Sequence, residues 1–326
     1  MQYKVFITNS IPSISIEMIS RTARIEQWTG DGFLSHQALK EKVKDAHGLL
    51  CLLADRIDSE IIESAPNLKV ISNYGVGFDN IDISTATQKG IPVGNTPGVL
   101  SETTADLAFA LLMAAARQIT RSDKMVRSRQ WNASLKPMMM LGQDIHHSTL
   151  GIIGMGRIGK EMARRARGFH MRILYYNRSR QEDIEKELGA EYTSLPQLLK
   201  ESDFVSLHVP LNEGTRRLIG PAELGLMKST SILINTARGA VVDQAALYEA
   251  LAAGKIAGAG LDVFEKEPLP PNDPLLTLDN VVFTPHTGSA TVATRSKMAV
   301  MAAENLIAGI KSERLPHCVN PEIYRT

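Results

Sequence analysis

The stretch STLGIIGMGRIG, residues 148–159, decides the fold of this chain. Residues 150–153 form a short apolar run that predicts a buried strand, and Gly154, Gly156 and Gly159 follow it with the spacing G-x-G-x-x-G. In such a turn the first glycine permits the tight bend, the second lets a ligand approach the backbone, and the third lets the helix lie against the strand. The helix N-terminus then favours an anion. The motif predicts a dinucleotide pyrophosphate site, with an ordinary strand-to-helix turn as the alternative.

The next predicted strand ends in a basic, polar segment. Residues 172–176 are followed by Asn177, Arg178, Ser179 and Arg180, where an NAD-specific fold has an acidic residue, about 20 residues after the glycines. A carboxylate would repel a 2′-phosphate, whereas an amide, a hydroxyl and two guanidiniums would bind one. Each charge-assisted hydrogen bond contributes about 1.5–3 kcal/mol. The segment therefore predicts NADP(H) as the preferred cofactor, with NAD(H) as an accepted second; a solvated loop is the alternative.

Composition and charge argue against several classes of protein. The chain has 326 residues, enough for about two domains, and a formal net charge of +1, which favours neither nucleic acid nor an anionic membrane as partner. Cys51 and Cys318 give no disulfide framework, and no cysteine and histidine cluster predicts a metal site. The first residues lack a signal-peptide pattern, and the apolar stretch 107–116 is shorter than the roughly 20 residues of a membrane span. We therefore expect a cytoplasmic protein without a metal.

Strands and helices alternate along the chain, which predicts parallel sheets with helical crossovers. A first set of strands lies within residues 3–95, and a second set begins near residue 150. A helix over residues 102–120, with Ser101 as its expected cap, links the two sets. A helical pattern over residues 290–310 follows the last strand, and we expect it to pack back on the first set.

These patterns predict an α/β fold with two doubly wound parallel-sheet domains. The first is a discontinuous, flavodoxin-like substrate-binding domain of residues 1–99 and 289–326. The second is a Rossmann NAD(P)-binding domain of residues 100–288, inserted into the first. The cleft between two such domains is the expected place for chemistry.

Three predicted strand ends carry side chains suited to catalysis. Arg238 follows one strand, Glu265 and Glu267 follow the next, and His286 follows the last. Ligands of open α/β sheets bind at the carboxyl ends of the strands, so these residues can converge. An arginine fork suits a carboxylate, a histidine suits proton transfer near neutral pH, and a carboxylate beside it favours the charged ring.

Five motifs stand in one order along the chain: GIIGMGRIG (151–159), HVPLNEGTRRLI (208–219), MKSTSILINTARGAVVD (227–243), AGLDVFEKEPLP (259–270) and PHTGSAT (285–291). In sequence, order and approximate spacing they resemble the D-isomer-specific 2-hydroxyacid dehydrogenases, and the match covers nearly the whole chain. The resemblance implies Arg238, Glu267 and His286 as the catalytic set. Glu267 is chosen over Glu265 because the family's acid immediately precedes a proline, here Pro268. The implied reaction is hydride transfer from NADPH to the carbonyl carbon of a 2-keto acid, with His286 protonating the carbonyl oxygen to give a D-2-hydroxy acid.

The resemblance also implies the binding residues. For the substrate they are Leu53, Val76, Gly77, Arg238 and Ser289. The loop NYGVGFDNID, residues 73–82, would offer its backbone amides to the substrate carboxylate, with an ordinary turn as the alternative. For the cofactor they are Thr104, Gly154, Gly156, Arg157, Ile158, Gly159, Asn177, Arg178, Ser179, Arg180, His208, Pro210, Thr215, Thr236, Ala237, Arg238, Asp262, His286 and Gly288.

Within the family, HTGSAT, DVFEKEPLP and NRSR are most similar to the glyoxylate/hydroxypyruvate reductases and the related 2-ketogluconate reductases. Thr287 departs from that branch, which more often has an aliphatic residue there. Residues 131–147 resemble an arm in which relatives place an aromatic residue near a neighbouring subunit's active site. Here the arm contains Met138, Met139 and Met140, which either widen substrate tolerance or simply line a subunit interface. The resemblance implies a homodimer formed through residues 100–147.

Two other functions stay open on the same scaffold. A 3-phosphoglycerate dehydrogenase would share the fold and the catalytic set, but the sequence shows no added regulatory domain and no basic cluster suited to a substrate phosphate. A dinucleotide-sensing transcriptional corepressor would also share the scaffold and can retain the catalytic set. An activity like that of formate dehydrogenase is disfavoured by Glu267, where that branch has glutamine.

Overall fold

The computed structural model describes residues 3–132 and 136–325. The chain forms two compact units, one of Met1–Leu100 with Ser289–Thr326 and one of Ser101–Gly288. Each unit is built on one all-parallel sheet with helical crossovers, so the predicted α/β fold with two parallel-sheet domains is confirmed. None of the helices in the described ranges has the length and apolar character needed to cross a membrane.

The elements follow one another in strict alternation over much of the chain. The strands are β1 (Tyr3–Ile7), β2 (Ala23–Gln27), β3 (Gly48–Cys51), β4 (Val70–Asn73), β5 (Val93–Gly94), β6 (Thr149–Ile153), β7 (Arg172–Tyr176), β8 (Glu191–Tyr192), β9 (Phe204–Leu207), β10 (Ile232–Asn235), β11 (Gly258–Leu261) and β12 (Val281–Phe283). The helices are α1 (Ser13–Ser20), α2 (His36–Val43), α3 (Ser59–Glu63), α4 (Ile83–Gln88), α5 (Ser101–Ala116), α6 (Ile119–Arg127), α7 (Arg157–Arg167), α8 (Glu182–Leu188), α9 (Leu195–Glu201), α10 (Pro221–Leu226), α11 (Gln244–Ala252) and α12 (Val292–Ile310).

The first unit has the strand order β2-β1-β3-β4-β5, which is the flavodoxin-like order. Strands β3 and β4 are buried along their whole length, as expected for parallel strands covered on both faces. The long helix α12 packs on them, and the Ser72 hydroxyl donates a hydrogen bond of 2.8 Å to the carbonyl of Ala302. The C-terminal helical pattern therefore belongs to the first sheet, as the sequence predicted.

The second unit has the strand order β12-β11-β10-β9-β6-β7-β8. Counted from β6, this is the Rossmann order 3-2-1-4-5-6 extended by a seventh strand at one edge. One face of the sheet is covered by α5 and α7 through residues such as Leu112 and Met162. The other face is covered by α9, α10 and α11 through residues such as Leu198 and Leu247. Both faces are apolar, so the ends of the strands are left as the place for polar chemistry.

The helix predicted over residues 102–120 is wrong at its C-terminal end. α5 stops at Ala116, Gln118 adopts a left-handed conformation with φ 51°, and a separate helix α6 follows. The carbonyl of Ala116 accepts a hydrogen bond of 2.9 Å from the backbone N–H of Gln143, a tertiary contact at the point where the apolar periodicity alone would continue the helix. Ser101, predicted as the cap, is the first helical residue instead.

Candidate active site

The predicted catalytic residues of the second unit follow three adjacent strands of one sheet. Arg238 follows β10, Glu267 follows β11 and His286 follows β12. The Nδ1 atom of His286 lies 2.6 Å from Oε2 of Glu267. About a third of each side chain is exposed, 32% for His286 and 33% for Glu267, so the pair is held by the fold and still reachable from solvent.

Glu267 is fixed through both of its carboxylate oxygens. While Oε2 meets His286, Oε1 accepts a hydrogen bond of 3.0 Å from the backbone N–H of Phe264. Burial by itself would raise the pKa of Glu267, but the contact with His286, the Phe264 N–H and the charge of Arg238 together hold that pKa below its ordinary value. Glu267 is therefore a carboxylate at neutral pH and presents a negative charge to the imidazole.

Arg238 is placed by a close contact between two loops. A Cβ atom on the next residue, Gly239, would overlap the backbone carbonyl of Phe264, so only glycine lets the loop after β10 lie against the loop after β11. Asn235 braces the turn, because its amide donates to the Arg238 carbonyl at 2.9 Å and its oxygen accepts from the Ala237 N–H at 3.0 Å. These contacts bring the arginine near enough to Glu267 to act on its pKa.

The backbone of His286 is left-handed, with φ 53°, a conformation that costs a non-glycine residue free energy unless its surroundings enforce it. Here Asp262 enforces it. Its carbonyl accepts from the His286 N–H at 2.8 Å, and its carboxylate accepts from the Thr284 hydroxyl at 2.6 Å, the Thr287 N–H at 2.7 Å and the Gly288 N–H at 2.8 Å. Asp262 is buried and shapes the whole loop that carries His286.

Thr104 and Thr236, two of the predicted cofactor residues, lie in the same part of the unit. Thr104 on α5 is buried close to Gly288, since a Cβ on that glycine would lie 3.3 Å from the threonine methyl group and 3.2 Å from Asp262. Thr236 follows β10, and its buried hydroxyl has no hydrogen-bond partner among the described residues. An unpartnered buried hydroxyl is costly in a finished core, so this atom fits a polar ligand group such as a carboxamide.

The glycine turn after β6 has the geometry that a pyrophosphate needs. Gly154 has φ 99°, and a Cβ there would lie 2.7 Å from the carbonyl carbon of His208. At Gly159 a Cβ would overlap the Gly154 carbonyl, whereas a Cβ at Gly156 would meet no atom within 4 Å. Gly154 and Gly159 are thus required by the protein's own packing, and Gly156 leaves open space at the start of α7.

Two further predicted cofactor residues, Arg157 and Ile158, are the first residues of α7; Arg157 is exposed and Ile158 packs partly against the core. His208 follows β9, and its Nε2 lies 2.9 Å from the Ser206 hydroxyl. Its burial lowers the pKa to about 4, so the ring is neutral at pH 7. In the same loop, the Thr215 hydroxyl donates to the Pro210 carbonyl at 2.6 Å and closes the turn.

The segment after β7 differs in one respect from the sequence prediction. Arg178 is exposed and forms no ion pair with any described residue, but Arg180 is paired with Glu185 through two contacts of 2.8 and 2.7 Å. Asn177 donates to the Ser179 carbonyl at 3.0 Å. Of the two predicted phosphate-binding arginines, the structure therefore leaves one available and neutralises the other.

The predicted substrate residues Leu53, Val76, Gly77 and Ser289 belong to the first unit. Leu53 is half-buried against Gly75, where a Cβ would lie 2.8 Å from a leucine methyl group. In the loop after β4, the carbonyl of Val76 accepts from the Asn95 amide at 2.7 Å and that of Gly77 accepts from the Asn73 amide at 2.6 Å. The N–H groups of Val76 and Gly77 donate to no acceptor within the described part of the chain.

Sequence reasoning missed the residues that act through tertiary contacts. Gly239 and Asn235 stand in the motif INTARG, but neither shows from sequence alone that it faces the loop after β11. Glu185 is one of several charged residues on α8 and carries no motif. Within residues 3–132 and 136–325, no group of three or more histidine, cysteine or acidic side chains could hold a metal ion.

Comparison with known proteins assigns this chain to one family. The family model for the D-isomer specific 2-hydroxyacid dehydrogenase, NAD binding domain, matches residues 109–288. The chain is 56% identical over 325 residues to the glyoxylate reductase of Korarchaeum cryptofilum, covering 100% of this chain and 98% of that protein.

Solved structures of other proteins have the same fold as this chain. A protein from Thermus thermophilus superposes with a TM-score of 0.91 at 44% identity, covering 97% of this chain and 99% of that one. An NADPH-dependent glyoxylate/hydroxypyruvate reductase from Sinorhizobium meliloti, in complex with NADP and malonate, gives a TM-score of 0.86 at 30% identity, with 98% and 97% covered. The chain belongs to the D-isomer-specific 2-hydroxyacid dehydrogenase family, as its motifs predicted. It is an NAD(P)-dependent oxidoreductase.

Proposed function

We propose that this protein uses NADPH to reduce small 2-keto acids, namely glyoxylate, hydroxypyruvate and 2-ketogluconate, to D-2-hydroxy acids. The observation that carries the proposal is the 2.6 Å contact between His286 and Glu267 beside Arg238. Support comes from the relatives, because a protein 56% identical is named glyoxylate reductase and a structural neighbour is a glyoxylate/hydroxypyruvate reductase.

The cofactor, when bound, supplies the hydride. Open space at Gly156, the 11-residue helix behind it and the unpartnered Thr236 hydroxyl fit a dinucleotide. Because Nδ1 of His286 faces Glu267, Nε2 is the nitrogen that gives its proton to the developing alkoxide. Glu267 orients the ring and stabilises its protonated form, while the Arg238 guanidinium binds the substrate carboxylate and polarises the carbonyl.

The loop of Val76 and Gly77 is proposed to bind the substrate carboxylate. Its carbonyls are held by Asn95 and Asn73, which leaves the two N–H groups as the donors that a ligand can use. Leu53 and Ser289 are proposed to complete the substrate site. Residues 1–99 with 289–326 would then be the substrate-binding domain, and residues 100–288 the cofactor domain.

A homodimer is proposed through α6 and the arm that follows it. This region exposes large apolar side chains to an extent unusual for a free surface: Ile119 51%, Val126 55%, Trp131 57%, Met138 79% and Leu141 56%. A groove of about 360 Å³ is lined there by Met125, Trp131, Met138 and Met139. A second copy of the chain is the proposed cover. The cytoplasmic location stays a prediction from the sequence.

The test is the initial rate of NADPH oxidation by the purified protein with hydroxypyruvate, glyoxylate and 2-ketogluconate, with NADH as the matched control. We expect turnover with at least one of the three acids, a higher kcat/KM with NADPH than with NADH, and a D-configured product. Saturable NADP(H) binding without turnover of any 2-keto acid would refute the proposal and favour a dinucleotide sensor. Turnover restricted to a phosphorylated substrate would favour a 3-phosphoglycerate dehydrogenase.

A further inference from the structure

Carboxylates follow closely after residues 177–180, the segment that the sequence predicts to hold the 2′-phosphate of the cofactor. Between residues 178 and 185 the chain carries Arg178, Arg180, Glu182, Asp183 and Glu185. Two guanidiniums against three carboxylates leave this segment with a formal charge of −1, which by itself disfavours a dianionic phosphate. The arrangement of these side chains therefore decides how strongly the phosphate binds.

Glu185 engages Arg180 through one whole edge of the guanidinium. Nε lies 2.8 Å from Oε1 and Nη2 lies 2.7 Å from Oε2, the bidentate geometry that makes an arginine–carboxylate pair strong. The arginine side chain is 60% exposed, but that of Glu185 is only 16% exposed. The carboxylate is thus the fixed member of the pair, and the guanidinium is the member held by it.

A buried phenol fixes Glu185 in turn. The Tyr175 hydroxyl donates a hydrogen bond of 2.6 Å to Oε1 of Glu185 and accepts one of 2.7 Å from the Gln181 N–H. The tyrosine is wholly buried on β7, so it positions the carboxylate from a rigid element. The hydrogen bonds from Arg180 and Tyr175 lower the pKa of Glu185 to about 2, and the group is ionised at neutral pH.

We propose that Glu185 is a specificity-determining residue that weakens binding of the 2′-phosphorylated cofactor, by holding Arg180 and by repelling the phosphate, with Tyr175 as its positioning residue. A 2′-phosphate must compete with Glu185 for Arg180, whereas the 2′-hydroxyl of NAD(H) meets no such competition. Glu185 thereby reduces the preference for NADP(H) over NAD(H) that Arg178 and Arg180 create. This inference rests on the NADPH preference in the proposed function and on the sequence prediction that residues 177–180 lie at the cofactor's ribose.

The test measures binding alone, with 2′,5′-ADP and 5′-AMP as probes, by isothermal titration calorimetry on the full chain at low salt. Glu185→Gln removes the charge and keeps an oxygen that can accept from Tyr175. It should bind 2′,5′-ADP about 1.5- to fivefold more tightly than the wild type, the range expected for an exposed charge pair, with 5′-AMP affinity unchanged. Tyr175→Phe removes the hydrogen bond that holds the Glu185 carboxylate. It should also raise the affinity for 2′,5′-ADP relative to 5′-AMP, by less than Glu185→Gln does.

The matched control is Glu187→Gln. Glu187 lies on the same helix and its replacement makes the same change in net charge, but it pairs with Arg164 at 2.9 Å and not with Arg180, so the 2′,5′-ADP affinity of this variant should equal that of the wild type. The inference is overturned if Glu185→Gln binds 2′,5′-ADP no more tightly than the wild type does. It is also overturned if Glu185→Gln and Glu187→Gln change the 2′,5′-ADP affinity equally, or if the wild type and every variant bind 2′,5′-ADP and 5′-AMP with the same affinity. Because the titrations involve no turnover, absence of activity with 2-keto acids would refute the proposed function without deciding this question.

Discussion

Nδ1 of His286 lies 2.6 Å from Oε2 of Glu267, and the other oxygen of the same carboxylate accepts the backbone N–H of Phe264. The imidazole is therefore held in one orientation by a group that is itself held by the backbone. Such a chain of contacts lets a protein keep an acid in place while its protonation state changes. It also separates two roles, because His286 would transfer the proton and Glu267 would act only through the ring.

Replacing Glu267 with glutamine should move the alkaline limb of the reduction pH profile to lower pH, because the carboxylate charge that favours the protonated acid is removed. The lowered pKa of Glu267 means that its stabilising charge is present at neutral pH and is lost only as pH falls through that lowered pKa. A neutral amide places no negative charge beside the imidazole, whereas the carboxylate does so at 2.6 Å. The measurement is kcat/KM for the keto acid between about pH 5 and about pH 10.

Glu265→Gln is the matched control for that profile. Glu265 is two residues away and faces Arg217 at 3.8 Å, so its removal should leave the limb where it is in the wild type. An unmoved limb in the Glu267 variant, or an equal shift in both variants, would contradict the assigned pairing.

His286→Ala should lower kcat for keto acid reduction by about 10²–10⁴, the usual contribution of a general acid. Affinity for NADPH, followed by the change in its fluorescence on binding, should fall far less, because the residues proposed to contact the phosphates and the ribose lie elsewhere in the unit. Turnover within a few-fold of the wild type would remove His286 from the mechanism.

Gly239→Ala should destabilise the fold, because its Cβ would overlap the Phe264 carbonyl and push apart the loops that carry Arg238 and Glu267. We expect a loss of about 1–3 kcal/mol in the free energy of unfolding, measured in urea. Gly225→Ala is the control, since a Cβ at this position in helix α10 meets nothing within 4 Å. This substitution should raise the free energy of unfolding by about 0.5–1 kcal/mol. Equal effects of the two substitutions would refute the close contact.

Gly156→Ala should leave the thermal stability of the protein unchanged and weaken cofactor binding, because its Cβ occupies only the space proposed for the pyrophosphate. Gly154→Ala should instead lower Tm, because the residue has φ 99° and its added Cβ would lie too close to the backbone of His208. The measurements are Tm without cofactor and Kd for NADP⁺. Unchanged NADP⁺ affinity in Gly156→Ala would place the pyrophosphate elsewhere.

The fold class could be predicted because most strands of a parallel sheet are buried on both faces and appear as short apolar runs. GLLC in β3 and ILIN in β10 are buried throughout. Two strands, β2 and β8, give no such signal in the sequence: they read ARIEQ and EY and lie at sheet edges. Their charged and half-exposed residues carry no apolar pattern, and only pairing with a neighbouring strand makes them strands.

At the site, sequence patterns indicated which residues follow the strands but not how they are held. Glycine spacing predicted the turn of Gly154, because the motif itself encodes the backbone geometry. The contact of Gly239 with Phe264 spans 25 residues of chain, and the anchoring of Glu185 depends on a buried tyrosine ten residues earlier. Contacts of this kind are set by packing, so the residues involved look like any other glycine or surface glutamate.

The five-stranded unit is assembled from both ends of the chain. Its β5 strand receives a hydrogen bond from Val319, the amide of Val93 donates to Asn320, and α12 covers β3 and β4. On the ribosome, residues 1–100 therefore emerge with part of their apolar surface uncovered, while residues 101–288 emerge as a contiguous and complete sheet. The sheet whose strands are synthesised first is thus completed last, because its covering helix α12 follows the whole of the second unit in the chain.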